Sequence, residues 1–326
     1  MKIFKKTPTI EFVDKRALYF AFSGVLLAAS LALIVTRGLN FGIDFTGGSL
    51  VQITFEQPVE LAELREMTTR AGYPDAIPQH FSGTDSFAIR VKSQGGADES
   101  ADTAEKFLGA LEKADPGRPF TVDQKEFVGP TVGRHLYKQA LFAVVFSLLG
   151  IVGYVAFRFS NPLWGFAGVF ALAHDVLATL GLFAALQLEV DLVLVAAVLT
   201  IAGYSINDSI VVFDRLREKM RVMRRESFDT VANTSINETL SRTLITSMTT
   251  LFTVVVLQLL GGTVIHDFAV TLTFGIVVGT YSSIAIAVPV VCQWEASRTR
   301  RVEKGRTAAA PEATPESARG ARRRRR

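Results

Sequence analysis

Residues 190–218 read VDLVLVAAVLTIAGYSINDSIVVFDRLRE. The opening VDLVLVAAVLTIA has the composition of a membrane span. Asn207 and Asp208 nevertheless arrive before the apolar residues end at Phe213, and charges become frequent only from Asp214 onward. An ionisable side chain inside a membrane helix costs ~2.5–3.5 kcal/mol even on insertion scales, so its presence marks function by default. Five residues from Phe213, Asp208 lies roughly 8 Å deep at helical rise. A carboxylate at a helix end reaching interfacial water is the simpler alternative. Ile210, Val211, Val212 and Phe213 follow it without a polar break, which argues against that alternative.

The rest of the chain has the same character. Of 326 residues, 49% are hydrophobic and 20% charged, and the apolar residues fall in long runs rather than short periodic segments. Six runs, at about 17–35, 136–157, 162–186, 190–213, 239–260 and 268–291, each approach the ~20 residues that cross ~30 Å of hydrocarbon. The first follows MKIFKK but is too long for a secretory signal and reads as an uncleaved anchor. Lys and Arg set the orientation. Five precede the first span, seven lie from Arg215 to Arg242, and eleven follow Cys292, with Arg158 in the short link between spans two and three. This alternation places both termini in the cytoplasm, residues 1–16 included, with a cytoplasmic loop at about 214–238. Residues 36–135 and the turns QLEVD and GGTVIHD then lie outside.

The outer segment has soluble character. SLVQITFE, IPQHFS, SFAIRVK and FTVDQKEFV read as strands, and ELAELREMTTRAG and ADTAEKFLGALEKA as helices. The order β-α-β-β-α-β predicts a ferredoxin-like α+β domain. A Gly-Thr-Asp turn separates the middle strands, and QGGADES reads as an exposed loop. With fifteen acidic and eleven basic residues from Arg37 to Lys138, its face is mildly acidic. It offers no nucleophile–base pair and no phosphate loop, so a binding or lever module is expected. FGIDFTGGS (41–49) and VGPTVGR (128–134) flank it, with Gly42, Asp44, Gly47, Gly48, Gly129, Pro130 and Gly133. Glycine permits positive φ and proline fixes φ, so both stretches read as shaped hinges, with ordinary surface turns as the plainer alternative.

Two further polar features lie within spans. Arg242 falls in NETLSRTLITSMTTLF, about one turn inside span five, which runs antiparallel to span four. Asp208 and Arg242 are expected at similar depth, facing one another. Thr239, Arg242, Thr246, Thr249 and Thr253 form a stripe at spacings of three and four. It reads as a hydrated seam, although threonine hydroxyls also bond back to their own helix. Tyr204 and Ser205 share the face of Asp208. His174 and Asp175 lie near the middle of span three and point about 100° apart, so each needs its own partner, for structure or for proton handling. Burial opposes ionisation of a carboxylate and a nearby guanidinium favours it, which makes an Asp–Arg pair a proton-operated switch. Small residues in SLLGIVG (147–153) and GIVVG (275–279) predict close helix packing. The single cysteine and the lack of CxxC or HExxH spacing give no disulfide framework, metal site or cofactor, and an enzyme is not expected.

FGIDFTGG, VGPTVG, AHD, YSINDSIVVFDRLRE and INETLSRTLITSMTT, in this order, closely resemble the SecF family of bacterial protein-translocase subunits over about residues 10–295. The resemblance implies a polytopic α-helical membrane protein with six transmembrane helices of the resistance–nodulation–division (RND) half-transporter type. It also implies SecD as partner half, the SecYEG channel with SecA, and translocating preproteins in the bacterial inner membrane. Asp208 and Arg242 match that family's proton-pathway residues, so the resemblance implies use of the proton-motive force. Asn207, Thr246, His174 and Asp175 are candidates beside them. The chain departs from the pattern after Glu295. Residues 292–326 read as a basic, disordered tail that suits membrane lipids better than nucleic acid, a solvated topology-fixing tail being the plainer reading. The rival function is an RND-type small-molecule or lipid exporter half, which one half and one small outer domain fit less well. A passive scaffold would leave Asp208 and Arg242 dispensable.

Overall fold

The computed structural model describes residues 7–80, 85–91, 101–159 and 162–308. Among these, six helices are long and apolar enough to cross a membrane. They are α1 (Arg16–Arg37), α5 (Pro130–Arg158), α6 (Pro162–Leu186), α7 (Leu192–Val222), α8 (Phe228–Leu260) and a composite sixth span. The sixth runs as α9 (Gly262–Ser282), a π-helical turn (Ser283–Ala287) and α10 (Val288–Ala308). Helix α6, α7 and the sixth span form the packed centre. Helices α1, α5 and α8 turn Phe22, Val25, Phe146, Phe157, Phe252 and Leu259 outward. Such faces need no protein cover in lipid, where apolar side chains lose nothing by exposure.

Close approach at the centre depends on small residues. A side chain at Gly275 would collide with Ile201, and one at Gly181 with Ser30. At Gly279 an added Cβ would lie 3.1 Å from the Ser205 Cβ. GIVVG therefore seats α9 on α7 as expected. The prediction for SLLGIVG fails, because Gly150 and Gly153 face open space on the outer side of α5.

Between α1 and α5 lies the small domain, preceded by β1 (Asn40–Phe41) and a single turn, α2 (Ile43–Thr46). It contains β2 (Gly48–Phe55), α3 (Leu61–Arg70), β3 (Ile77–His80), β4 (Ser86–Val91), α4 (Ala101–Ala114) and β5 (Phe120–Val128). The strands form one antiparallel sheet ordered β3-β4-β2-β5, the ferredoxin-like arrangement. Val51, Ile53, Phe87 and Ile89 point to one face and meet Leu64, Met67, Phe107 and Leu111 of the two helices. The QGGADES loop, and Gly83 and Thr84 of the predicted turn, lie outside the described residues.

At the opposite end of the bundle the structure corrects two expectations. The loop predicted at 214–238 shrinks to 223–227, because α7 runs on to Val222 and α8 begins at Phe228 behind the Ser227 cap. Ionic contacts hold these extensions together: Arg215 pairs with Glu238, and Lys219 meets Glu238 at 2.6 Å. The stretch 292–308, read as the start of a disordered tail, continues the last helix to Ala308; residues 309–326 lie outside the described residues. The described chain before α1 is strapped to α8. The Asn237 side chain accepts from the Ile10 amide at 3.0 Å and donates to the Ile10 carbonyl at 2.8 Å. Asn233 accepts from the Val13 amide at 2.9 Å, and Arg16 pairs with Asp229 at 3.1 Å.

Asn237→Ala removes both bonds to Ile10 and leaves its backbone groups to water. It should lower stability by about 1–3 kcal/mol and raise hydrogen exchange at Ile10 ahead of the bundle core. Unchanged protection at Ile10 would contradict the strap.

Candidate functional site: two carboxylates inside the bundle

Asp208 and Asp175 are the carboxylates buried within the central helices among the described residues. Asp208, on α7, is 9% exposed. Thr243 on α8 donates its hydroxyl to one carboxylate oxygen at 2.8 Å, and Ser283, opening the π-turn, donates to the other at 2.6 Å. Three elements thus meet on one side chain. Asp175, on α6, is fully buried. It accepts from Ser205 on α7 and, at 2.7 Å, from Ser282 at the end of α9. Its other oxygen lies 2.9 Å from His174 Nδ1.

The structure does not bring Arg242 onto Asp208. No hydrogen bond or ion pair within 4.0 Å joins them, and Arg242 is exposed on the outer face of α8, beside Thr243. The predicted threonine stripe divides accordingly. Thr246, Thr249 and Thr253 are exposed and donate to carbonyls of their own helix, as does the buried Thr239. The stripe that faces the interior is Thr239, Thr243 and Ser247, spaced by four and all buried. Thr243, Ser247, Ser282 and Ser283 were missed. The i, i+4 spacing of Thr239, Thr243 and Ser247 was a signal in the sequence; Arg242 drew attention to the neighbouring face. Asn207 is exposed and outside the cluster. Tyr204 turns to Ser247 at 3.0 Å, and Ser247 hydrogen-bonds with Thr280 at 2.8 Å.

The glycine-bearing stretches pack on each other and on α7. Gly47 has φ +72°, and an added Cβ there would lie 2.9 Å from Pro130 Cα. A Cβ at Gly133 would lie 3.1 Å from the Gly47 nitrogen. Gly48 opens β2, while Gly129 caps α5 with Pro130 at its first position. The Gly42 amide donates to the Val190 carbonyl at 2.8 Å, beside the parallel pairing of β1 with β6 (Glu189–Val190). Asp44 accepts from the Leu192 amide at 2.9 Å, while Asp191 caps α7 through the Leu194 amide at 2.7 Å. The domain adds one ion pair, Arg90 to Glu189 at 2.5 Å, with Arg90 also donating to Asn40 at 3.0 Å. Between sheet and helix ends lies a cavity of about 380 Å³ whose lining includes Asp44, Glu126, Glu189, Asp191 and Asp267. Burial pushes the Asp191 carboxyl up to about 6, with the Asp44 and Glu189 charges adding to the shift and the Leu194 amide opposing it. Glu126 is raised for the same reasons, burial first.

Six spans, a central bundle enclosing carboxylates, and one ferredoxin-like domain after the first span define a multi-pass membrane protein. Residues 110–297 match the family "Protein export membrane protein SecD/SecF, C-terminal", and residues 32–59 match the "SecD/SecF GG Motif". The chain belongs to the SecD/SecF family of protein-export membrane proteins. It is 44% identical over 289 residues to protein translocase subunit SecF of Vibrio alginolyticus, covering 88% of this chain and 90% of that one. The SecF of Calditerrivibrio nitroreducens is 42% identical over 290 residues, covering 88% and 94%. The crystal structure of SecDF from Thermus thermophilus, described as a translocon-associated membrane protein, superposes with a TM-score of 0.80 at 37% identity. That match covers 90% of this chain and 40% of the SecDF chain, so this chain spans well under half of SecDF.

Asp191 generates a pH prediction for the joint between domain and bundle. With the domain undocked and the carboxyl in water, its value is about 3.9. Docking raises it to about 6, so docking favours the protonated form. The contribution is therefore complete below about pH 4 and is lost as pH rises through about 6. Spin-label distances between domain and bundle should shorten as pH falls from about 6 to about 4. Asp191→Asn retains a capping side chain and should reduce the pH response to what Glu126 supplies; an undiminished response in this variant would exclude Asp191 as a source.

Proposed function

We propose that this chain is the SecF-type half of an accessory to the Sec protein translocase, and that with SecD it uses the proton-motive force to promote preprotein movement across the bacterial inner membrane. SecYEG with SecA is the machinery it serves. The observation that carries the reading is Asp208, a carboxylate inside a membrane bundle held only by two hydroxyls, with a guanidinium on the next helix left uncovered. Hydroxyls serve either protonation state, since they donate to a carboxylate and accept from a carboxylic acid.

Arg242 supports the need for a second half. A guanidinium facing hydrocarbon without a partner is costly, and among the described residues nothing pairs with it. The outward face of α8 is therefore where SecD packs, supplying acceptors to Arg242. Protonation of Asp208 weakens its hold on Thr243 and on the charge of Arg242 together, because these two are neighbours on α8. The consequence reaches the domain through α7. Asp208 lies sixteen residues from Leu192, roughly 24 Å at helical rise, and the Leu192 amide is capped by Asp44 of the FGIDFTGG stretch. The Lys and Arg distribution supports both termini in the cytoplasm and the ferredoxin-like domain outside.

Asp208→Asn and Arg242→Met, made separately, should each reduce preprotein export to the level measured without a proton gradient; Asp208→Asn should leave SecD association intact, whereas Arg242→Met should also weaken it. Retained gradient-dependent stimulation in both variants would overturn the proton-switch reading.

A further inference from the structure

Asp175 is not explained by a switch consisting of Asp208 and Arg242. It is more deeply buried than Asp208, and its immediate partners are two serine hydroxyls and an imidazole. The ionisable groups around it are few. His174 precedes it on α6; Tyr281 of α9 lies 6.3 Å from His174, ring to ring, and Tyr19 of α1 lies 6.2 Å from Tyr281. Asp208 stands on α7, and Arg242 on α8 faces away. No lysine or arginine lies within 4.0 Å of Asp175 among the described residues. A buried charge is retained where partners compensate it, and here the partners are hydroxyls and one imidazole. Moreover, His174 Nε2 is buried with no hydrogen-bond partner, leaving the outer nitrogen of this pair open to a donor.

The second observation is the pair Ser282–Ser283, where α9 passes into the π-turn. Consecutive residues point to different sides of a helix, so Ser282 reaches Asp175 on α6 while Ser283 reaches Asp208 on α7. Each hydroxyl also has an alternative acceptor one turn back on its own helix. Ser282 Oγ lies 3.2 Å from the Gly279 carbonyl, and Ser283 Oγ lies 3.0 Å from the Thr280 carbonyl. A hydroxyl has one hydrogen. Opposite a carboxylate it donates there; opposite a carboxylic acid it accepts and turns its hydrogen to the carbonyl. Either aspartate can thus gain a proton without orphaning a buried donor. π-Turns inside helices are frequent at functional sites, and this one begins at the residue that holds Asp208.

We infer that Asp175, with His174, is a second proton-binding site of the bundle, coupled to Asp208 through the adjacent hydroxyls of Ser282 and Ser283. The inference rests on the reading of Asp208 as a proton-binding group. Loading one carboxylate with a proton releases its serine to the α9 carbonyls, shifts the shared turn, and alters how the other serine meets its aspartate. The two sites then titrate as a pair rather than independently.

The test uses the full chain reconstituted with SecD in vesicles, with infrared spectra of the carboxylic C=O bands recorded across pH. Two titrating bands are expected, one lost in Asp175→Asn and the other in Asp208→Asn. Removing either residue should displace the midpoint of the remaining band by about tenfold in proton concentration, a typical coupling between sites. Ser282→Ala, which changes no charge, should shift the Asp208 band in the same direction. Gradient-driven export should fall in Asp175→Asn toward the level measured without a gradient. If Asp175→Asn loses no band and exports normally while Asp208→Asn fails, the inference is overturned and the Asp208 reading stands. If Asp208→Asn exports normally with the gradient, that reading fails. Should Asp175→Asn not insert, an unmoved Asp208 band in Ser282→Ala overturns the coupling.

Discussion

A carboxylate cannot be left bare where water is absent, and the arrangement of the central helices follows from that constraint. Asp208 takes one hydroxyl from α8 and one from the π-turn, so α7, α8 and the sixth span must converge to hydrogen-bonding distance at one level. Bulky side chains would prevent it. Gly279 sits against Ser205 and Gly275 against Ile201, bringing the end of α9 close enough for Ser282 and Ser283 to reach two different helices. An unsatisfied polar group costs several kcal/mol in hydrocarbon, so losing one hydroxyl here outweighs losing one methyl from an apolar contact nearby.

The same accounting explains which faces remain open. Helices α1 and α5 expose apolar side chains, which lipid accommodates without loss. Helix α8 exposes an arginine together with threonines whose hydroxyls are already bonded to their own backbone. The threonines are therefore compatible with lipid or protein, and the guanidinium alone demands a polar neighbour. Under the proposed function, the contact with a second half is thus concentrated in Arg242 rather than spread along a seam.

Much of this was legible in the sequence because membrane spans announce themselves. Span three was predicted at 162–186 and is helical over Pro162–Leu186, and the β-α-β-β-α-β order followed from alternation and turn residues. Asp208, His174 and Asp175 were legible as ionisable residues at depth. The errors share a physical cause. Hydropathy marks where a helix leaves lipid, not where it ends, so the charged ends of α7 and α8 read as loop until Glu238 was seen to meet Arg215 and Lys219. Arg242 and Thr243 are adjacent, and periodicity without a phase reference cannot say which of two neighbouring faces looks inward. Serine in an apolar run carries little signal, so Ser282 and Ser283 became visible only once the helices they reach were placed.

Helix α7 joins these features mechanically, and its two ends are not equally held. At the end away from the domain it is fixed by the contacts of Arg215 and Lys219 with Glu238, and by Phe213, whose ring packs 5.6 Å from Phe159 and 5.7 Å from Trp164. The Asn237 strap braces the adjoining part of α8. At the domain end the joints are the Asp44 cap, the pairing of β1 with β6, and the Arg90–Glu189 ion pair, beside a cavity of about 380 Å³. A helix transmits displacement along its axis with little internal give, because every turn is hydrogen-bonded to the next. Under the proposed function, a shift that starts at Asp208 is resisted where aromatic rings interlock and yields where packing rests on glycine backbone and a cavity leaves room. The glycines at 42, 47 and 133 then have a purpose beyond turning the chain. They bring domain and membrane helix into contact through backbone, which can slide by small amounts without side chains having to unlock.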